Sequence, residues 1–382
     1  MAIVAGGVTT PIGLDLDTFW SGLLAGADGL SAIKRFSTSD LRVGRGGEIK
    51  KLPPVALGMR SRAAALLVAA AADLRARARL DAAPERIAVV VGTALGGVEE
   101  LEHALADDGG PRRALDGLYD SPAHALAAWL GVRGPVLTVS SACASGATAL
   151  GLGADLLRED AVDLVVAGGY DILCRFVMRG FDALRSLARE RVRPFDRRRT
   201  GLLLGEAAGL VLLAREADAP GPRLGRLLGH GSASDASHIA APDAEGRGLE
   251  AAIRSALAAA DVSVGDLDFV SAHGTGTVLN DRIESAVLRR VLGNRAAAVP
   301  VNSIKGALGH TMGAAATLEA IMCLLAGRDG WIPPTVGYEE ADPACDLDYV
   351  PGTCRAARPR RMLSTSLGFG GCNAALVLEA GP

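Results

Sequence analysis

Three side chains in this sequence combine a reactive group with a setting that could expose it: Cys143, His273 and His310. Cys143 lies between a predicted strand, VLTVS, and a predicted helix that begins near Ala144. A thiol at a helix N-terminus is close to the positive end of the helix dipole and to free N–H groups, which favour its thiolate. The same N–H groups can hydrogen-bond an oxyanion after attack on a thioester carbonyl. The setting predicts a nucleophile, with a buried core thiol as the alternative.

The two histidines occupy similar settings in the second part of the chain. His273 lies in SAHGTGT, directly after a predicted strand, and His310 ends the segment NSIKGALGH. Both segments are glycine-containing loops at predicted strand-to-helix junctions, where active-site groups are commonly presented. Lys305 lies shortly before His310. We interpret the two histidines as candidate catalytic groups, and a structural hydrogen-bonding role is the alternative for each.

Metal and nucleotide chemistry have little support in the motifs. The sequence has no HExxH, HxxxH or CxxC pattern, and no acidic residue lies within a few positions of either histidine. The glycine-rich segments Gly96-Gly97 and Gly368–Gly371 do not match a dinucleotide or P-loop fingerprint. The sequence therefore predicts a site without a metal.

Composition excludes other classes of function. The chain has 382 residues, a net charge of −3 and only 4% aromatic residues, which argues against a nucleic-acid partner. Its six cysteines are scattered, which disfavours a disulfide framework and is typical of a reducing cytoplasm. The longest apolar stretch, Ala63–Ala72, is far too short to cross a bilayer. The apolar N-terminus is better interpreted as a buried strand than as a signal peptide. We expect a cytoplasmic protein without a membrane partner.

Short β-branched runs alternate with alanine- and leucine-rich helical patterns along the chain, which predicts an α/β fold. Two segments, SSACASGATALGLGADLL and NSIKGALGHTMGAAATLEAIMCLL, are alike. Each is a polar turn that leads into a helix with glycine and alanine near its start. Small residues let two such helices approach closely at a buried interface. The breaker cluster Ala219-Pro220-Gly221-Pro222 predicts a boundary, giving halves at residues 1–218 and 219–382.

Several ordered motifs together resemble the β-ketoacyl synthases over nearly the whole chain. The motifs that carry the resemblance are SACASG around Cys143, HGTGT with Asn280-Asp281 and Glu284, Lys305–His310, and Gly368-Phe369-Gly370-Gly371. Supporting segments are Arg193-Pro194-Phe195-Asp196, Gly205-Glu206 and the CDLDYVP run from Cys345. Any one of these motifs alone would carry little weight, but four in order at compatible spacing are specific.

The resemblance implies a thiolase-like fold, five αβαβα layers built from two similar halves, the first with the nucleophile and the second with both histidines and a gating loop. It implies that Cys143 takes an acyl group as a thioester. His273 and His310 would then stabilise the enolate formed when a malonyl thioester loses carbon dioxide. The backbone N–H groups of Cys143 and Phe369 would form the oxyanion hole.

The resemblance also implies supporting roles. Lys305, paired with Glu284, would hold the polar network, because a buried lysine needs such a partner. Thr275 and Thr277 would bind a phosphopantetheine arm, and Phe369 would gate the pocket. The family implies no cofactor of its own, since acyl carrier protein delivers both substrates. It implies a homodimer, or a heterodimer with a chain-length-factor-like paralogue.

The sequence also departs from the family pattern. The stretch between Gly97 and Gly134 is shortened, Cys372 replaces a common threonine, and Ala207 follows Glu206 where glycine is common. HGTGTVLNDRIE and CDLDYVP resemble the ketosynthase subunits of type II polyketide systems, and fatty-acid synthesis is the alternative pathway. A thiolase, with Cys372 as its base, and a non-catalytic chain-length subunit are the alternative functions.

Overall fold

The structure is a computed structural model that describes residues 1–106, 110–219, 221 and 223–381. Pro220 and Pro222, on which part of the predicted boundary depends, lie outside the described residues. So do residues 107–109 of the shortened segment.

The described residues form fourteen strands. They are β1 Ala2–Thr9, β2 Ser31–Ala32, β3 Arg45–Gly46, β4 Ile87–Gly92, β5 Val136–Val139, β6 Leu164–Asp171, β7 Ala207–Ala214, β8 Gly225–Ser234, β9 Phe269–Ser271, β10 Val301–Asn302, β11 Trp331–Ile332, β12 Arg355–Ala356, β13 Arg361–Gly368 and β14 Cys372–Ala380. Ten of them form one sheet, and β2 with β3 and β11 with β12 form two small ribbons.

Eleven α-helices occur in the same described ranges. They are α1 Leu16–Leu24, α2 Arg62–Arg77, α3 Val98–Leu105, α4 Gly110–Asp116, α5 Ser121–Leu130, α6 Ser145–Arg158, α7 Arg175–Ala183, α8 Arg247–Ala260, α9 Val278–Leu292, α10 Lys305–Leu308 and α11 Ala315–Asp329. No helix in the part of the chain that the structure describes is both long enough and apolar enough to span a membrane.

The large sheet consists of two five-stranded halves with the same topology. Its order is β10-β9-β13-β14-β8 followed by β1-β7-β6-β4-β5. We number the strands of each half in chain order and follow each half outward from the junction of β8 with β1. Both halves then have the order first, fifth, fourth, second, third. In the described ranges, the strand pairing between the halves consists of Ala2 with Arg226 and Ile3 with Gly225. The prediction of two similar halves is confirmed.

Two buried helices separate the halves. Both α6 and α11 contact strands of each half, whereas the main strand contacts of α2 and α5 are with the first half and those of α8 with the second. The two central helices approach closely because their first turns consist of small residues: a Cβ on Gly146 would lie 2.6 Å from the carbonyl oxygen of Gly313. The five-layered αβαβα arrangement is therefore confirmed, with the two similar segments as its central layer.

Candidate active site

Cys143, His273 and His310 line one cavity of about 370 Å³. They come from the turns after β5, β9 and β10, which lie in different halves of the sheet. The fold therefore brings together the three reactive groups that the sequence singles out. The same cavity is lined by further residues that the resemblance assigned to substrate binding, namely Thr275, Thr277 and Phe369.

Cys143 lies in a strained turn between β5 and α6. The residue before it, Ala142, has φ of +50°, a conformation uncommon for residues other than glycine. The backbone N–H groups of Phe369 and of Cys143 itself lie close enough to the sulfur to hydrogen-bond a thiolate. Both N–H groups that the resemblance assigned to an oxyanion hole therefore face the reactive atom.

The backbone N–H groups at the start of α6 favour the Cys143 thiolate as expected, but burial of the thiol has the larger and opposite effect. Burial raises the pKa of the thiol to about 12, because a thiolate there loses its hydration. The charge of Lys305 and the two N–H groups lower that pKa, but by less. The thiol is consequently protonated at neutral pH, and its proton must leave as the sulfur attacks.

Glu284 fixes the backbone turn that carries His273. Its two oxygens accept hydrogen bonds from the N–H groups of His273, at 2.7 Å, and Gly274, at 2.8 Å. The hydroxyl of Thr365 donates to the same carboxylate at 2.7 Å. Glu284 therefore belongs to the supporting network, through the backbone of the histidine loop.

His310 is held by the backbone segment that precedes β7, in the opposite half. Its N–H donates to the carbonyl of Leu203 at 2.7 Å, and its carbonyl accepts from the N–H of Gly205 at 3.0 Å. Its Nδ1 accepts a hydrogen bond from the N–H of Met312 at 3.4 Å. Nε2 is then the protonated nitrogen, and it has no hydrogen-bond partner among the described residues. A substrate carbonyl in the cavity would supply that partner.

The two imidazoles are close together and neutral. Their ring centroids lie 5.1 Å apart and their planes meet at 87°. Burial, followed by the positive charge of Lys305, holds the pKa of both His273 and His310 well below the usual 6.5. Neutral histidines can donate hydrogen bonds to a developing enolate without introducing a permanent charge.

Lys305 pairs with Glu319, so the expected partner, Glu284, is wrong. The Nζ atom of Lys305 lies 2.5 Å from Oε1 of Glu319, and both side chains are almost fully buried. Glu284 is occupied by the His273 loop, whereas Glu319 projects from α11 beside the lysine. Sequence reasoning missed Glu319, although an acidic residue within an otherwise apolar helix pattern is a usable signal of a buried ion pair.

Phe369, which the resemblance predicts to be a gate, lines the cavity. Phe369 is 37% exposed, and its ring stacks on Phe181 with centroids 5.5 Å apart. Gly370 and Gly371, with φ of +80° and +76°, allow a backbone turn that other residues rarely adopt. Across the cavity, the hydroxyls of Thr275 and Thr277 lie 3.0 Å apart. In the described residues there is no group of three or more His, Cys, Asp or Glu side chains that could hold a metal ion.

Comparison with known proteins gives consistent matches over the full length. Residues 1–219 match the family described as beta-ketoacyl synthase, N-terminal domain, and residues 224–339 match its C-terminal domain. The chain is 38% identical to the tetracenomycin polyketide synthase ketoacyl synthase alpha subunit of Streptomyces glaucescens, over 97% of this chain and 95% of that protein. It is 33% identical to 3-oxoacyl-[acyl-carrier-protein] synthase 2 of a Synechocystis strain, over 98% and 96%. Among solved structures, the ishigamide ketosynthase/chain length factor matches with a TM-score of 0.92 and 34% identity, over 99% of this chain and 98% of that one.

Proposed function

This chain belongs to the β-ketoacyl synthase family, and we propose that it is an active synthase that joins a Cys143-bound acyl group to a malonyl thioester. The observation that carries the proposal is the single cavity lined by Cys143, His273 and His310. A nucleophilic sulfur, two neutral hydrogen-bond donors and two backbone N–H groups are what thioester exchange and enolate formation require.

In the first step, the Cys143 sulfur attacks the acyl thioester and the carrier thiol leaves with the cysteine proton. In the second, malonyl thioester loses carbon dioxide while the imidazoles of His273 and His310 donate hydrogen bonds to the enolate oxygen. The enolate carbon then attacks the Cys143 thioester, forming the new C–C bond and breaking the C–S bond. The released thiolate takes up one proton from solvent.

The substrates are carried, in this proposal, on the phosphopantetheine arm of an acyl carrier protein, with Thr275, Thr277 and Phe369 along the arm. The name of the Synechocystis relative supports a carrier-bound substrate. No cofactor of the enzyme's own takes part in the two steps.

We also propose a division of the chain into two parts. Residues 1–218 carry the nucleophile, and residues 219–382 carry the two histidines and the gate. We propose in addition that the protein is cytoplasmic.

A dimer is supported by the exposed edge of the sheet. Strand β5 ends the sheet order, and all four of its residues are half-buried. An unpaired edge strand with apolar neighbours is suited to pair with another chain. Exposed apolar side chains also occur in the segment between β4 and β5, at Leu105, Leu115, Leu118 and Tyr119. The partner is a second copy or a chain-length-factor-like paralogue, and light scattering of the chain alone and with the paralogue distinguishes these.

The polyketide pathway is favoured by the Streptomyces relative and by the ketosynthase/chain length factor structure. Two alternative functions are less well supported. A thiolase would use Cys372 as its base, but Cys372 is not among the residues that line the cavity, whereas His310 is. A non-catalytic chain-length subunit would have no use for a cysteine enclosed with two histidines.

The direct test is intact-mass spectrometry. The purified protein is mixed with an acyl carrier thioester, its acyl adduct is located on Cys143, and malonyl carrier protein is added. We expect loss of the adduct, release of one carbon dioxide per adduct and a β-ketoacyl product two carbons longer. An unmodified Cys143, or condensation that continues in Cys143→Ala, would refute the proposal.

A further inference from the structure

Asp171 is a buried carboxylate at the end of β6 that takes no part in the steps above. It accepts four hydrogen bonds. On Oδ1 these come from the Thr93 hydroxyl at 2.7 Å and the Leu95 N–H at 3.0 Å. On Oδ2 they come from the N–H groups of Ala94 at 2.8 Å and Gly313 at 2.7 Å. Asp171 therefore binds residues of both halves of the chain. Thr93, Ala94 and Leu95 belong to the first half, and Gly313 belongs to the second, just after His310.

Through Gly313, Asp171 fixes the turn that carries His310. Met312 has φ of +49°, and its N–H is the donor to Nδ1 of His310. A Cβ on Gly313 would lie 2.8 Å from Oδ2 of Asp171, so the turn approaches the carboxylate as closely as a glycine allows. Movement of Gly313 would move Met312, and with it the imidazole.

Through Thr93, Asp171 is also linked to the turn that carries Cys143. The hydroxyl of Ser145 accepts from the N–H of Ser141 at 3.0 Å, and its one proton is shared between the carbonyls of Ala142, at 2.5 Å, and Thr93, at 3.2 Å. Ser141 and Ser145 bracket the nucleophile. One chain of hydrogen bonds thus runs from the Cys143 turn through Asp171 to the His310 turn.

We propose that Asp171 is a positioning residue that sets the place of the His310 imidazole relative to the Cys143 sulfur. The inference rests on the proposed function. Because Asp171 reaches His310 through a direct hydrogen bond to its turn but reaches Cys143 only through Thr93 and Ser145, its loss impairs C–C bond formation more than acylation. Misplacement by about 1 Å can cost about 100-fold in rate.

The substitution Asp171→Asn tests this with little change in shape. Asparagine has one acceptor oxygen and its NH₂ group cannot accept, so in either orientation of the amide at least one of the N–H groups of Leu95, Ala94 and Gly313 loses its acceptor. We expect the rate of Cys143 acylation to stay within about threefold of wild type, while condensation by the acyl-enzyme falls about 100-fold. Both rates come from the intact-mass assay in single-turnover experiments.

Two further variants keep the test decisive if Asp171→Asn does not fold. Gly313→Ala pushes the His310 turn away from an intact Asp171 and is expected to give the same selective loss of condensation. Thr93→Val removes the hydroxyl bond to Asp171 and also the acceptor for the N–H groups of Leu95, at 3.2 Å, and Gly96, at 2.9 Å. It leaves the bond from Gly313 to Asp171 intact and is expected to cost condensation about threefold. The proposal is overturned if acylation and condensation fall in parallel, or if condensation is unchanged in Asp171→Asn and Gly313→Ala. Failure of wild-type protein to acylate or condense would refute the proposed function instead.

Discussion

The third strand of each half leads into a turn and then a central helix, but the two turns carry different chemistry. After β5 the chain presents Cys143 and enters α6, and after β10 it presents Lys305 and His310 and enters α11. The buried part of α6 contains no charged residue, whereas α11 carries the buried Glu319. The first half therefore supplies a neutral nucleophile and the second a charged network.

This asymmetry explains how one lysine affects all three reactive groups. The positive charge of Lys305 lowers the pKa of the Cys143 thiol and of both imidazoles. It therefore opposes the effect of burial on the thiol and adds to it on the histidines. Two halves of the same topology thus differ in their chemistry because one buried ion pair, Lys305 with Glu319, lies in only one of them among the described residues.

Removing the nucleophile should distinguish most clearly what each half contributes to the reaction. We expect Cys143→Ala to reduce condensation by at least about 10⁴-fold, because no covalent intermediate forms. Release of carbon dioxide from malonyl carrier protein should continue, since the histidines remain. Product and carbon dioxide are quantified in parallel. Cys372→Ala, outside the cavity, is the matched control and should retain condensation; loss of activity there would favour the thiolase alternative.

Breaking the ion pair tests the charged half. Lys305→Met leaves the Glu319 carboxylate buried without its partner, and we expect the free energy of unfolding to fall by about 3–5 kcal/mol. The double variant Lys305→Met/Glu319→Leu should recover most of that loss, because no charge stays buried. Urea unfolding measures both. Equal losses in the single and double variants would contradict this account of the pair.

The His310→Asn substitution tests the division of labour between the two steps. Losing one hydrogen-bond donor to the enolate should reduce condensation by about 10²–10³-fold. Acylation of Cys143 should change little, because the sulfur and both oxyanion N–H groups remain. His230→Asn, on β8 and away from the cavity, is the control. A parallel loss of acylation in His310→Asn would show that the halves do not divide the reaction.

The smallest expected effect is on stability as a function of pH. The unfolded chain binds a proton at His310 near pH 6.5, whereas the folded protein holds the pKa well below that value. Stability from this group is therefore complete above pH 6.5 and is lost as the pH falls, by up to about 1.4 kcal/mol per pH unit. Between pH 7.0 and 5.5, the free energy of unfolding of wild type, measured with urea, should fall more than that of His310→Asn, by about 1.4 kcal/mol per pH unit at most. A constant difference between the two would indicate an unperturbed histidine.

The candidate catalytic groups were predictable because each lies in a recognisable turn after a strand. Sequence alone places Cys143, His273 and His310 in such turns, and the equivalence of the two halves brings the turns together. The partner of Lys305 was not predictable, since it depends on how α10 packs against α11. The raised pKa of Cys143 was missed for a similar reason: burial of the thiol depends on the whole fold.

One strand of the large sheet has only a weak signal in the sequence. Strand β8 contains Gly229 and Gly231, which lower its strand propensity and weaken the sequence pattern. A Cβ at either position would lie within 2.6 Å of a backbone carbonyl oxygen of α8. These glycines therefore satisfy a packing requirement of the helix, which no local pattern in β8 reveals.

The central claim is that groups from both halves share one cavity, and cross-linking tests it without relying on catalysis. The variant His310→Cys is treated with a short bifunctional alkylating reagent, and its peptides are mapped by mass spectrometry. We predict a covalent link between positions 143 and 310 that is absent from Cys143→Ala/His310→Cys and is blocked by prior acylation of Cys143. Separate single alkylations at the two positions, with no link between them, would contradict the account.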